Sequence, residues 1–330
     1  MTTTTGSSEL LIRSELWSTE LKEVLQDQLF GMQFVDTLVD FPDGNTFTVP
    51  SVGEAQVDDY VEDTDATYRP LDTGEWQFSI DEYLQSGTYI TRKNEQDMYY
   101  MNQLVSGFVP KQERAIMKHV EATIFEKPEA ILGASANSNY VINGADHRFA
   151  GSGTGGVMGL SDFAYAKYAL KKANVPDTNM VAVVSPEVEV TLNTLSNLTN
   201  VSNNPRWEGI VDSNIATGMK FLYNIYGFDV YISNYLPDVT DSALPTSALG
   251  GTVAADTAVD FSSTAGKANY FFSAAPDVSP WKMAWRQPPV VDSEWNKDKQ
   301  RTEFLTTARY GVKLYRPENM VSCVVSGSNF

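Results

Sequence analysis

The chain has 330 residues, a formal net charge of −18, 42% hydrophobic residues and a single cysteine. That length holds two ordinary domains or one large discontinuous one, and the moderate, well-mixed charge excludes a disordered chain. No apolar run reaches the roughly 20 residues of a membrane helix, the lone Cys323 excludes an intrachain disulfide framework and fits a reducing cytosol, and the acidic balance argues against nucleic-acid recognition, which draws its affinity from Lys and Arg displacing counterions.

Residues 1–8 show no basic n-region or apolar h-region, so no secretory signal is read there. Leu16, Leu21, Val24, Leu25 and Phe30 form a stripe that predicts an amphipathic helix from Ser14 to Leu29. A turn signal at Phe41–Asn45 opens a segment reaching to Thr91, with strand-like patches at Thr46–Val49, Trp76–Ile80 and Thr88–Thr91. Its middle carries Glu54, Asp58, Asp59, Glu62, Asp63, Asp65, Asp72 and Glu75 against Arg69 alone, and little in it can build a compact core. Two limbs of about 20 residues at ~3.3 Å each would reach about 60 Å. An ordered segment of that length without a core needs a partner. Asp63 and Asp65 begin like a calcium loop, but the glycine and glutamate such a loop needs at its sixth and twelfth positions are missing.

Asn94 can cap a helix bearing Met98, Met101, Leu104 and Val105 and closed by Gly107. Pro110 then opens a second helix with Ile116, Val120 and Ile124 on one face, ended by Pro128. Residues 131–157 are rich in Ala, Ser, Asn and Gly, and 151–156 match G-x-G-x-x-G. A dinucleotide site would need a buried strand running into the first glycine and an acid about 20 residues on. Asp146–Ala150 makes a poor buried strand and no acid is correctly placed, so the reading is a flexible loop. Ser161 caps a helix with Phe163, Tyr165, Ala166, Tyr168, Ala169 and Leu170. Met180–Val184 is a buried strand, and Ser185, Pro186 and Glu187 open the next helix.

The stretch after Asp212 reads as a helix with Ile215, Met219 and Leu222 on one face, ended by Gly227 in a left-handed C′ position. Beyond it the period drops to two: Phe228, Val230 and Ile232 face one way, Asp229, Tyr231 and Ser233 the other, until Pro237. Residues 238–268 turn to Ala, Thr, Ser and Gly, with a small hairpin around Val253–Phe261. Tyr270–Phe272 should return to the sheet, Trp281–Val291 and Thr302–Leu314 should be long strands, and Asn319–Val325 the last one.

No motif for chemistry assembles. The two histidines, His119 and His147, fall on a helix face and in a Gly/Asn-rich loop, and H-E-x-x-H, G-x-S-x-G, a Walker loop and Cys/His metal spacings are all missing. The reading is a non-enzyme with no catalytic, cofactor or metal residues.

Three motifs carry a resemblance. The run Gly227–Pro237 (G-F-D-V-Y-I-S-N-Y-L-P), the strand–proline–helix unit Val181–Pro186, and Glu303–Leu305 with Ala308–Glu318 resemble, in that order, the major capsid proteins of tailed double-stranded DNA phages. The resemblance implies an α+β tailed-phage major capsid fold: an N-terminal arm (1–36), an extended E-loop hairpin (37–92), a peripheral domain with a long spine helix (93–160), an axial domain with a central sheet (161–280, insertion 238–268), and return strands with the peripheral-domain sheet (281–330). It implies copies joining into hexamers and pentamers of an icosahedral shell around double-stranded DNA, formed in the host cytoplasm, without cofactor, membrane or sequence-specific DNA contact. A portal, a separate scaffolding protein and a decoration protein are the implied partners; an encapsulin-type nanocompartment holding an enzyme cargo is the alternative. Some relatives weld subunits through a loop lysine, but no lysine lies between Thr46 and Arg92, so such cross-links are not expected. The intersubunit contacts expected are Asp58, Asp59, Glu62, Asp63 and Arg69 of the loop, the four acids facing Arg92, Lys111, Arg114 and Lys118 of a neighbour.

Overall fold

A computed structural model describes residues 29–38, 46–53, 57–65, 68–70, 73–97, 101–133, 140–194, 221–246 and 258–326. The expected helix at Ser14–Leu29 lies outside them except for its last residue. In chain order the strands are β1 (Val35–Thr37), β2 (Thr46–Val52), β3 (Thr73–Ser79) and β4 (Glu82–Thr91), then β5 (Val141–Ile142), β6 (Ala145–Asp146) and β7 (Arg148–Ala150). There follow β8 (Met180–Val184), β9 (Phe221–Ile225), β10 (Phe228–Ile232), β11 (Asp238–Val239) and β12 (Gly266–Ser273). Last come β13 (Trp281–Asn296), β14 (Arg301–Leu314) and β15 (Val321–Ser326). The helices are α1 (Arg92–Asp97), α2 (Met101–Leu132), α3 (Leu160–Lys172) and α4 (Pro186–Thr194).

β8 is apolar and buried at every position, as a strand covered on both faces must be. It lies within a sheet ordered β7-β15-β12-β8-β10-β9, where β11 extends the pairing along β12. Because side chains alternate along a strand, Ala182 and Val184 join one core with Phe271, Phe228 and the apolar faces of α3 and α4. Val181 and Val183 join another, on the opposite face, with Tyr270, Phe272 and α2. The expected alternation of Phe228, Val230 and Ile232 holds: Phe228 and Val230 are fully buried in the first core and Ile232 packs against it. Tyr231 turns to the second core, against Phe30 and Phe34.

The other large layer is a four-stranded sheet ordered β1-β13-β14-β4, in which the β13–β14 hairpin spans both the core and the periphery. Its inner half (Trp281, Met283, Tyr310, Val312, Leu314) packs into the core shared with α2, and its outer half is paired with β4 and half-exposed. The stretch set aside as part of this sheet is divided, because β15 pairs with β12 and β7 in the large sheet instead.

Several expectations fail for identifiable reasons. Residues 221–225 are a strand, not the end of a helix: β9 and β10 form a hairpin across Tyr226 and Gly227, both at positive φ (50° and 89°). Two consecutive left-handed residues make the two-residue turn whose twist suits a hairpin; the helical face at Ile215 and Met219 lies outside the described residues. The helix pair divided at Gly107–Pro110 is one helix, α2, of 32 residues with Pro110 and Pro128 inside it, about 48 Å long. An interior proline costs about 3 kcal/mol, but around Pro128 the buried side chains of Ile124, Phe125 and Leu132 contribute about 1.5–3 kcal/mol each. Tyr270 donates from its hydroxyl to the Phe125 carbonyl at 2.7 Å, next to the carbonyl that Pro128 leaves without a donor. Thr91, not Asn94, caps α1, its hydroxyl accepting from the Asn94 amide.

The segment 146–150, rejected as a buried strand, is buried throughout, and β7 pairs in parallel with β15. Its polar members are satisfied from far away. Arg148 is held by Glu129 and Asp241, and His147 donates from Nδ1 to the Met320 carbonyl at 2.9 Å. Of the hairpin expected at Val253–Phe261, residues 253–257 lie outside the described residues; Val259 instead bridges Leu244, and Leu244 and Phe261 are core residues.

Candidate assembly surfaces

The acidic segment does form an antiparallel hairpin. β2 and β3 pair from Thr46–Ser79 to Val52–Thr73, and residues 57–65 and 68–70 of the connection between them, its tip, are described. The sequence offered little for a core here, yet the root has one: Phe78 and Ile80 are buried against Ala284, with Leu38, Phe47 and Trp76 packed around them. The root therefore rests on its own sheet. The tip does not: Val57, Tyr60, Val61 and Tyr68 are 94%, 87%, 61% and 94% exposed. Four large apolar side chains exposed within a dozen residues suit an interaction surface. Sequence reasoning fixed on the acids and missed these four, although apolar residues in an acidic run with no core were the available signal.

The structure places the predicted contact residues as follows. Asp58 is paired with Arg69 of the same loop at 2.9 Å, both about half-exposed, so this acid already has a cation. Asp59, Glu62 and Asp63 are exposed, and Asp63 takes a left-handed conformation (φ 64°) in the turn. Lys111, Arg114 and Lys118 follow i, i+3, i+7 spacing along α2 and so share a helix face. Lys118 lies over the Tyr235 ring at 5.8 Å, and Arg92 lies at the start of α1 over Trp295 at 5.8 Å. Three of the four expected receivers are thus brought together, and Arg92 sits apart from them on another element.

A second charged assembly joins the two layers. Arg148, 2% exposed, donates from Nε and Nη2 to Glu129 Oε1, both at 2.5 Å, and pairs with Asp241. Ser322 donates to the other Glu129 oxygen at 2.9 Å. This knot ties α2, β7, β15 and the segment after β11 together beside a cleft of about 570 Å³ lined by Glu126, Glu129, Asp238 and Asp241. Two carboxylates engage the guanidinium, so the site is a structural tie with no evident chemistry. Among the described residues, no group of three His, Cys, Asp or Glu is arranged to hold a metal ion.

The glycine-rich loop ends the same way. The place where a phosphate would sit, at the N-terminus of α3, is taken by the chain's own Asp162, whose carboxylate accepts from the Ser152 and Gly159 amides at 3.0 and 2.8 Å. Gly159, not Ser161, is the capping position. His119 shares its Nδ1 with the hydroxyls of Thr123 and Tyr310 at 3.3 Å, and burial pushes the Tyr310 phenol up to about 12. His147 is sealed in the core, where burial holds its pKa below the ordinary histidine value.

No protein-family model matches the sequence, and no curated protein does. Solved structures match it over nearly its whole length. The capsid of cyanophage P-SCSP1u superposes with a TM-score of 0.68 at 14% identity, covering 99% of this chain and 96% of that one. A structure from Mycobacterium phage Che8 gives 0.66 at 18%, covering 94% and 96%. The mature capsid of bacteriophage PhiM1 gives 0.63 at 12%, covering 97% and 93%. The fold is that of phage capsid proteins, as the three sequence motifs implied.

Proposed function

We propose that this chain is the major capsid protein of a tailed double-stranded DNA phage, a structural protein whose copies assemble into the hexamers and pentamers of an icosahedral virion shell. The observation that carries the reading is the extent of the match: capsid structures cover 97–99% of the chain. The fold's two exceptional parts support it, a helix of 32 residues running along both layers and a hairpin whose connecting loop leaves Val57, Tyr60, Val61 and Tyr68 exposed. The hairpin would reach over an adjacent copy, and its apolar tip would bury area there toward the 2,000 Å² or more of obligate interfaces. The nanocompartment alternative finds no support in these neighbours.

A portal, a separate scaffolding protein and a decoration protein remain parts of this proposal, as does assembly in the host cytoplasm. The net charge of −18 suits a wall that encloses DNA without gripping it. Expression of the chain, with and without candidate scaffold, followed by negative-stain microscopy tests the reading: closed shells are expected. A compact monodisperse monomer under every assembly condition would overturn it.

A further inference from the structure

We infer that Gly311 fixes the direction in which the long hairpin leaves its subunit before any neighbour is met, and that correct assembly depends on that direction. The inference rests on the shell-forming reading above. Gly311 lies in β14 directly across from Ala284 of β13. A Cβ at Gly311 would stand 2.5 Å from the Ser79 carbonyl oxygen, 3.1 Å from Ile80 Cα and 3.1 Å from the Phe78 ring. Two of those three atoms are backbone and cannot rotate away, so any side chain at this position lifts the hairpin off the sheet. A glycine inside a strand weakens that strand and marks a place where another backbone comes close. Here the backbone in question is the exit of β3.

The seat is latched on one side. Lys313, two residues along the same face, donates from Nζ to the Gln77 carbonyl at 2.5 Å and lies 5.7 Å from the Trp76 ring. Trp76 meets Tyr315 edge-on, with ring centroids 4.8 Å apart. Phe78 and Ile80 are buried beneath the crossing, whereas Val57, Tyr60, Val61 and Tyr68 of the tip are exposed. The hairpin is therefore fixed at its root and free at its end. A limb already held in the orientation it needs loses less freedom when it binds, and its angle to the sheet sets how the next copy is met.

The test uses the full chain with two engineered spin-labelling sites, Tyr60→Cys at the exposed tip and Glu113→Cys on the exposed face of α2; buried Cys323 stays unlabelled. In unassembled subunits the tip-to-helix distance distribution should be narrow in this background. It should broaden or shift with Gly311→Ala and move less with Lys313→Met. Shells from the unlabelled chain should be uniform in diameter, and Gly311→Ala should lose that uniformity or the shells altogether. An unchanged distribution in Gly311→Ala overturns the aiming, and a changed distribution with unchanged shells overturns the dependence of assembly on it. Should Gly311→Ala fail to fold, Lys313→Met and Trp76→Leu are judged by the same two readouts. If the parent chain gives no shells at all, the shell-forming reading fails and takes the assembly half with it, while the distances still decide whether Gly311 aims the hairpin.

Discussion

Replacing Glu129 by alanine should destabilise the subunit by about 3 kcal/mol, because it removes one of two carboxylates from a guanidinium that is almost wholly buried. Arg148 is 2% exposed, and Glu129 Oε1 accepts two of its hydrogen bonds at 2.5 Å. Breaking a buried pair by deleting one partner costs about 3–5 kcal/mol, since the other charge stays buried and uncompensated. Asp241 keeps hold of the guanidinium, which sets the value near the lower end. Ser322, itself fully buried, also loses its acceptor. Alanine is the best helix former, so α2 itself is not weakened by the change. At about 2 °C per kcal/mol for a chain of this size, the melting temperature of unassembled subunits should drop by about 6 °C, with a matching shift of the urea midpoint. The double variant Glu129→Leu with Arg148→Met should recover most of the loss, because well-packed apolar groups often replace a buried ion pair at little cost. A single-variant loss under about 1 kcal/mol, or a double variant no better than the single, would refute the account.

Burial holds the His147 pKa below 6.5, so between that lowered value and 6.5 the unfolded chain binds more protons than the folded one. Stability then rises with pH across the interval and is lost on acidification, at up to about 1.4 kcal/mol per pH unit. His147→Gln should flatten the melting temperature between pH 7.5 and 5.5, and an unchanged slope would show that other groups set it; Asp146, whose carboxyl burial raises, acts with opposite sign in a lower window just above its ordinary value. Gly227 sits at φ 89° in the β9–β10 turn, so Gly227→Ala should cost about 1 kcal/mol or more in chemical denaturation. The double change Tyr60→Ser with Tyr68→Ser should leave the subunit's melting temperature unaltered, because both rings are in water, and should sharply reduce the yield of shells on a sucrose gradient.

What could be read in advance was what neighbours in the chain decide. The strand Met180–Val184 announces itself by five apolar residues, and the helix after it by Pro186 at its first position. The β9–β10 hairpin was hidden because its first turn residue is Tyr226, where an asparagine would have given the signal; a lone glycine after an apolar run looks like the end of a helix. The two prolines of α2 read as boundaries, and only burial against strands some 150 residues away outweighs them. Partners from 19 to 173 residues away conceal the polar core. His147 is satisfied by Met320 and Arg148 by Glu129 and Asp241, and nothing local foretells that a loop rich in Gly and Asn will be drawn inside. At the candidate surface, the acids of the loop were legible as charge. The seat at Gly311 was not, because its meaning lies in Ser79 and Ile80, more than two hundred residues earlier.

The distribution of cations bears on how copies would attract one another. Many of the described basic side chains already have acids of their own: Arg69 with Asp58, Arg148 with Glu129 and Asp241, Lys171 with Asp177, Lys267 with Asp238, Lys282 with Asp36 and Arg301 with Glu303. Every copy carries a net charge of −18, so copies repel one another before any contact forms. Apolar contact through Val57, Tyr60, Val61 and Tyr68 should therefore supply the attraction, with charge acting mainly as a repulsion to be overcome. Salt then has a predictable sign. Raising ionic strength from about 0.01 M to about 0.5 M shortens the screening length from about 30 Å to a few Å, which relieves the repulsion and leaves apolar contacts intact, so assembly followed by light scattering should become faster and more complete. Shells that instead fall apart as salt is added would show that ion pairs hold the tip, and would restore Lys111, Arg114 and Lys118 as its receivers.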